Sequence, residues 1–200
     1  QVSEYKLSID IFMLYFLTEI LLMLFNWYNL ISFRGGRVMI RYATENDLVY
    51  ILDIYNDAIV NTTTVYTYDE TDLEERKVWF ENKRNDSLPV IVFERDNRVV
   101  GFATYGPFRN WPAYQYTVEH SIYVDPRYKR LGIASALLDE VISLATEAGY
   151  KTMVAGIDDS NEGSVALHKK KGFNHVGTLS NVGFKFDKWL TLVFYQLMLK

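Results

Sequence analysis

The stretch that most constrains this chain is Val124-Asp-Pro-Arg-Tyr-Lys-Arg-Leu-Gly-Ile-Ala-Ser135, where a strand end runs through a basic turn into an amphipathic helix. Ser121-Ile-Tyr-Val124 reads as strand, and Asp125-Pro126 ends it because proline has no N–H for a sheet ladder. Lys129, Arg130 and Gly132 then lead into a helix with Leu137, Val141, Leu144 and Ala148 facing inward and Gly149 as its stop. The first amides of such a helix lack intrahelical partners, and the helix dipole adds partial positive charge there. Gly132 keeps a Cβ out of the path of an anion, and Arg130 can add charge-assisted hydrogen bonds. The junction reads as a diphosphate cradle, with an ordinary strand-to-helix connection as the plain alternative.

A second segment bears on that choice. In Asn161-Glu-Gly-Ser-Val-Ala-Leu-His-Lys-Lys-Lys-Gly-Phe173, Asn161 is suited to cap a short helix that stops at Gly172. Together the two segments resemble the acyl-CoA signatures of the GCN5-related N-acetyltransferase (GNAT) superfamily. Its first motif, Gln/Arg-x-x-Gly-x-Gly/Ala, stands here as Lys129-Arg-Leu-Gly132-Ile-Ala134, with Lys129 departing from the usual residue. Its second, Asn-x-x-Ser…Gly-Phe, is kept as Asn161, Ser164, Gly172 and Phe173. A third segment, Tyr116-Thr-Val-Glu-His-Ser-Ile-Tyr-Val124 preceded by Gly106-Pro-Phe-Arg109, resembles the branch that acetylates phosphinothricin and methionine sulfoximine. The resemblance runs from Met39 to the C-terminus.

The periodicity of the chain agrees with that family's order of elements, β-α-α-β-β-β-α-β-α-β-β. A strand over 38–42 precedes a cap-like Thr44-Glu-Asn-Asp47 and a helix with Leu48, Ile51, Leu52, Tyr55 and Ile59 on one face. After a polar, aromatic loop through Tyr66 and Tyr68, Asp72-Leu-Glu-Glu75 begins a second helix that includes Val78, Trp79 and Phe80. Strands over 89–94 and 98–105 join through Asp96-Asn97, a pair suited to a tight hairpin. Strands follow over 117–124 and 151–157, with the long helix between them; a short helix over 163–171 and two late strands around 176–186 and 189–199 complete the list. The implied fold is α/β in the layered α+β sense: the acyl-CoA N-acyltransferase fold, a mixed central sheet flanked by helices, occupying residues 39–200.

Residues 1–38 stand apart. The run over 11–33 is long and apolar enough to cross a bilayer, interrupted by Glu19 and Asn26. One reading is a transmembrane anchor with Arg34 and Arg37 on the inner side and the enzyme in the cytoplasm. A cleaved signal peptide fits less well, because a basic n-region and a small-residue cleavage site are missing. The favoured expectation is translated upstream sequence: Met39 opens the first strand, and Arg34-Gly-Gly-Arg37 is what a purine-rich ribosome-binding site encodes when read in frame.

The chain carries 21 Lys and Arg against 25 Asp and Glu, and acids and bases balance within residues 1–38, so the net charge of −4 belongs to the remainder. A mildly acidic domain argues against nucleic acid as the main partner. With no cysteine, disulfides and cysteine-ligated zinc are excluded and a reducing cytoplasm is acceptable; His120, His168 and His175 show no metal-ligand spacing, and no metal is expected.

Acetyl transfer to an amine requires a neutral amine, a polarised thioester carbonyl and a protonated departing thiolate. Glu119 is the candidate base, a carboxylate amid Thr117, Val118, Ile122 and Val124, where partial burial would raise its pKa; a solvated strand-face glutamate is the alternative from sequence alone. The resemblance implies the base. It further implies that a backbone N–H near Tyr123 or Val124 polarises the carbonyl. Ile122, Tyr123 and Val124 would line the acetyl-pantetheine, Arg130, Leu131, Gly132, Ile133, Ala134 and Ser135 would hold the pyrophosphate, and Asn161 would bond the pantetheine arm. His168 stands where many relatives carry a tyrosine proposed to protonate the thiolate; packing over the cofactor without proton transfer is an equal alternative. Arg109 is the expected cation for an acceptor carboxylate or phosphinate, with Tyr66, Trp111 and Tyr114 as walls and Asn110, His120 and Ser121 as further substrate-binding candidates. His120 alternates with Glu119, which also admits a structural or supporting place for it.

The expected activity is acetyl-CoA-dependent N-acetylation of the α-amine of a glutamate-like analogue, phosphinothricin or methionine sulfoximine, which would confer antibiotic or herbicide resistance. Alternatives are another amine, such as a peptide N-terminus or a polyamine, or a non-catalytic CoA-binding sensor. The expected partner is a small-molecule amine, with a homodimer formed through the late strands around Trp189 to Tyr195.

Overall fold

The computed structural model describes residues 38–200. The expectations for residues 1–37 lie outside the described residues, and no helix among the described residues is long and apolar enough to cross a membrane. The compact unit formed by Ile40–Glu94 and Arg98–Lys200 holds the core and the candidate site.

The strands are β1 (Val38–Tyr42), β2 (Val90–Arg95), β3 (Arg98–Pro107), β4 (Thr117–Val124), β5 (Thr152–Asp158), β6 (Asn174–Lys185) and β7 (Lys188–Met198), and the helices are α1 (Leu48–Asn61), α2 (Leu73–Asn85), α3 (Ile133–Glu147) and α4 (Glu162–Lys170). All seven strands join one sheet in the order β1-β2-β3-β4-β5-β7-β6. β4 and β5 pair in parallel, while β3 with β4, β5 with β7 and β6 with β7 are antiparallel. The sheet is therefore mixed, flanked by helices, as the residue pattern and the resemblance imply.

Local chemistry accounts for the element ends. Thr44 and Asp47 form a capping box ahead of α1, and Asp72 accepts from Glu75 N at 2.8 Å while Glu75 accepts from Asp72 N at 3.1 Å ahead of α2. Asp47 also takes both outer nitrogens of Arg41 at 2.7 and 2.8 Å, and the same guanidinium reaches Glu94 at 2.7 Å, tying β1, the start of α1 and β2 together. The hairpin turn between β2 and β3 has Asp96 and Asn97 at positive φ, the backbone that a tight turn between right-twisted strands demands.

On one face of the sheet, α1 and α2 bury Leu48, Ile51, Ile54 and Phe80 against Val90, Val92, Val99 and Phe102. The Phe102 ring stacks on Tyr123 at 5.0 Å and meets Trp79 edge-on at 6.3 Å. On α3 the buried residues are Ile133, Leu137, Leu138, Val141 and Ala145. Leu144 and Ala148, expected inward, instead line an open cavity of about 950 Å³ together with Tyr42, Arg84, Tyr105 and Glu147, because the buried stripe of α3 passes from Val141 to Ala145 and not through Leu144. None of the residues expected at the active site lines that cavity. Near the C-terminus, Trp189 is 64% exposed whereas Tyr195 is 4% exposed and belongs to the core. Phe102→Ala is expected to cost about 3–5 kcal/mol, read by denaturant unfolding, because it empties the centre of the aromatic stack that carries Tyr123.

Candidate active site

The site begins where two strands part. β4 and β5 are in register at Thr117 with Thr152, Val118 with Met153 and Glu119 with Val154, and no further, although β4 continues to Val124 and β5 to Asp158. β3 stays paired with β4 over the same stretch. Asp125 N donates to Val100 O at 3.0 Å. By the alternation of an antiparallel ladder, the odd-numbered amides of β4 point to β3 and those of Ile122 and Val124 point into the gap beside β5. A wedge lined by free backbone donors thus opens immediately beyond Glu119. Of the two amides expected to polarise a carbonyl, this leaves Val124 N–H facing the wedge and engages that of Tyr123 with β3.

Glu119 lies at the fork on the face covered by α1 and α2, in register with Gly106 of β3. Across the gap, a Cβ on Gly156 would sit 3.0 Å from Glu119 Oε1, so a side chain there would displace the carboxylate. Burial pushes the Glu119 pKa up, and the nearby Arg109 charge draws it back. The sheet thus holds a carboxylate biased toward keeping a proton, with a cation in electrostatic reach. Arg109 itself is exposed; its Nη1 donates to Phe108 O at 2.8 Å and its guanidinium lies 4.2 Å from the centre of the Phe108 ring. Tyr114 meets Phe108 edge-on at 5.6 Å, and Asn110 and Trp111 project to solvent beside them. Ser121 and Tyr123 share the Glu119 face by strand alternation.

The cradle after β4 has the required backbone. Asp125, buried at 4% exposure, accepts from Arg127 N at 2.9 Å and pairs with the Arg127 guanidinium, which holds its carboxyl below the usual range. Arg130 at φ 65° and Gly132 at φ 81° then turn the chain into α3, a backbone favourable only without a Cβ at the second position. Ala136 N is the first amide to bond back into the helix, at 3.0 Å to Gly132 O, so the amides of Ile133, Ala134 and Ser135 face outward from its N-terminus. Arg130 and Leu131 are exposed there, whereas the Ile133 side chain is core, so its contribution to an anion would come from the backbone. Across the wedge, Asn161 caps α4 by accepting from Ser164 N at 3.1 Å.

The two histidines expected in the site are both buried. His120 points to the face opposite Glu119, at 8% exposure, and His168 on α4 is 4% exposed. Their rings stack at 5.0 Å with Nε2 to Nε2 at 3.0 Å, closed in by Phe173 at 5.8 and 5.1 Å. His168 Nδ1 lies 2.7 Å from Ser164 O and must donate to it. Its Nε2 is then the acceptor and His120 Nε2 the donor, tautomers assigned from these partners. In this arrangement the one ring proton of His168 is held by the Ser164 carbonyl, and the pair fastens α4 to β4. Tyr66, expected as a wall, donates to Asp158 Oδ2 at 3.1 Å, and Asp158 also accepts from Ser160. Gly156 and Asp158 were absent from the sequence expectations, although an isolated glycine inside an apolar strand is itself a sign of close approach.

The chain matches the family model described as Acetyltransferase (GNAT) family over residues 48–173. An L-methionine sulfoximine/L-methionine sulfone acetyltransferase of Salmonella typhimurium is 38% identical over 80% of this chain and 94% of that protein. Among solved structures, an N-acetyltransferase from Staphylococcus aureus Mu50 superposes with TM-score 0.82 at 58% identity, covering 82% of this chain and 99% of that one. A phosphinothricin acetyltransferase from Sinorhizobium meliloti in complex with acetyl-CoA gives TM-score 0.79 at 32% identity, covering 81% and 88%.

The buried histidine pair has a measurable signature. Burial, then His168, push the His120 pKa down to about 3, and burial also lowers that of His168. The unfolded chain binds these protons near pH 6.5 and the folded chain does not, so stability is full above about pH 6.5 and falls as the medium is acidified below it. Thermal unfolding is expected to lose several degrees between pH 6.5 and 4.5, and His120→Gln should flatten that slope.

Proposed function

The chain belongs to the acetyltransferase (GNAT) family, and from that premise we propose that it moves acetyl from acetyl-CoA to the α-amine of a glutamate-like amino-acid analogue, methionine sulfoximine or phosphinothricin, with Glu119 as general base. The observation that carries this reading is a half-buried carboxylate at the strand fork, its pKa raised by burial and opposed by Arg109. The names of the relatives support the acceptor class.

Free amides on β4 and at the start of α3 fit a pantetheine arm and a pyrophosphate. Ile122, Tyr123 and Val124 line the arm, Asn161 bonds it from the facing wall, and Arg130 to Ser135 take the pyrophosphate. Acetyl-CoA supplies, when bound, an activated thioester carbonyl. The chain does the rest. Arg109 pairs with the acceptor's carboxylate or phosphinate and turns its ammonium toward Glu119. Glu119 takes one proton from that ammonium, directly or through water, and leaves the neutral amine. Val124 N–H donates to the oxygen on which charge develops, and as the amide forms the amine's second proton leaves with CoA as its thiol. A homodimer is supported by the exposed apolar side chains Val176, Leu179, Val182 and Phe184 of the edge strand β6, beside Trp189.

The proposal is tested by acetyl-CoA-dependent thiol release, which the cysteine-free chain follows without background. Turnover is expected with methionine sulfoximine and phosphinothricin; turnover confined to a peptide amine or a polyamine would overturn the acceptor class.

Two substitutions address the base. Glu119→Gln is expected to lower kcat by about 10²–10⁴-fold with acetyl-CoA affinity unchanged. Because the folded pKa is raised, ionised Glu119 costs stability above the ordinary carboxylate range, so this variant should melt no lower than the wild type at pH 7. Arg109→Gln removes the charge that draws the Glu119 pKa down, so the acid limb of kcat/KM should move to higher pH while KM for the acceptor rises.

A further inference from the structure

Lys185, the last residue of β6, is 4% exposed and forms none of the ion pairs found among the described residues. Its Nζ donates instead to three carbonyls, Ile59 O at 2.6 Å, Val65 O at 2.8 Å and Thr62 O at 3.0 Å. The first belongs to the last turn of α1, the third is its C-cap, and Val65 lies in the irregular segment that follows. A buried ammonium is costly unless all three protons are bonded. Here the three acceptors are the negative end of a helix and the chain just beyond it, which converge on a point charge.

That segment carries Tyr66 and Tyr68, and both are fastened to the same stretch of sheet. Tyr68 OH donates to Phe184 O at 2.6 Å, and the Tyr66 ring lies over Gly183, where a Cβ would come within 2.7 Å of it. Tyr66 OH meets Asp158, two residues beyond Gly156 and on the same face of β5, and Gly156 is where the Glu119 carboxylate rests. The chain from the end of α1 to Tyr68 is thus held in register with the base from behind.

We propose that Lys185 is a positioning residue for the acceptor: its buried ammonium latches the 62–68 segment to β6 and so sets where Tyr66 stands relative to Glu119. The inference rests on the acetyl-transfer reading. Lys185 touches neither acceptor nor acetyl-CoA; it acts through Tyr66.

The test compares wild type, Lys185→Met, Tyr66→Phe and the double variant. Lys185→Met is expected to raise KM for methionine sulfoximine about tenfold, the scale of a lost charge-assisted hydrogen bond, and to leave KM for acetyl-CoA within about twofold. Adding Tyr66→Phe should cost little more, because both substitutions act on one wall. Amide hydrogen exchange should quicken over residues 62–68 and stay unchanged over α3, a readout that needs no turnover. Equal rises in both KM values, additive effects of the two substitutions, or unchanged exchange over 62–68 would overturn the latch. If Lys185→Met does not fold, Lys185→Arg takes its place in each comparison. Its planar fork cannot point three protons at one converging set, so the same shift in acceptor KM is expected, and wild-type KM would overturn the proposal. A wild type inactive on every amine offered would count against acetyl transfer itself, while the exchange result would still decide the latch.

Discussion

The parting of β4 from β5 after Glu119 is the constraint on which the site depends. A sheet interior normally satisfies every backbone donor along its strands. Here β4 keeps its partner on one side through Val124 and loses it on the other, leaving a polar wedge in the middle of an otherwise apolar sheet. The wedge holds because both arms are braced independently. α3 fixes the β4 arm through Leu137, Leu138 and Val141, and the long antiparallel pairing with β7 fixes the β5 arm from Thr152 to Asp158. Between the two arms, the histidine pair and the Lys171–Asp139 ion pair at 2.6 Å tie α4 to the β4 half.

Buried charge is handled differently at each place it occurs. Asp47 is matched by Arg41 with two short bonds and two more from Thr44, so its carboxyl stays below the usual range despite burial. Arg76 is buried between the rings of Tyr55 at 4.1 Å and Trp79 at 4.7 Å, which offer it π-faces in place of a carboxylate. Lys185 uses carbonyls. Burial opposes the charged forms of Arg76 and Lys185 as well, but of the two carboxylates Asp47 and Glu119 it is Glu119 whose ionised form is opposed by its surroundings, because Arg109 only partly offsets burial. A carboxylate left in that condition is poorly suited to holding a fold together and well suited to accepting a proton.

Much of the architecture was legible residue by residue. Asp72 with Glu75, Thr44 with Asp47, the Asp96-Asn97 turn and Asn161 as a cap act through bonds only a few residues long, and each stands where the sequence implies. The turn at Arg130 to Gly132 was legible for the same reason, since Gly132 and the helix after it are neighbours in the chain. The surroundings of His168 were not legible because they are not local: the partner at its Nε2 is His120, on β4, and Phe173 packs edge-on against both rings. Inward-facing Leu144 failed for another reason: the buried stripe of α3 continues from Val141 to Ala145, and the rotation of a helix on its sheet decides which of two neighbouring residues faces the core.

By itself, the sequence determined the order of strands and helices, the caps that begin them and the turn into α3, because these depend on residue type and short spacing, while the candidacy of Glu119 and Arg109 came with the family resemblance. Only the tertiary structure decided that β4 and β5 separate at Glu119, that Gly156 leaves room for its carboxylate, and that Tyr66, Asp158 and Lys185 come together across β5 and β6. Those features join residues up to 126 positions apart. No local propensity encodes such a distance; it follows from which apolar faces can be buried against one another at once.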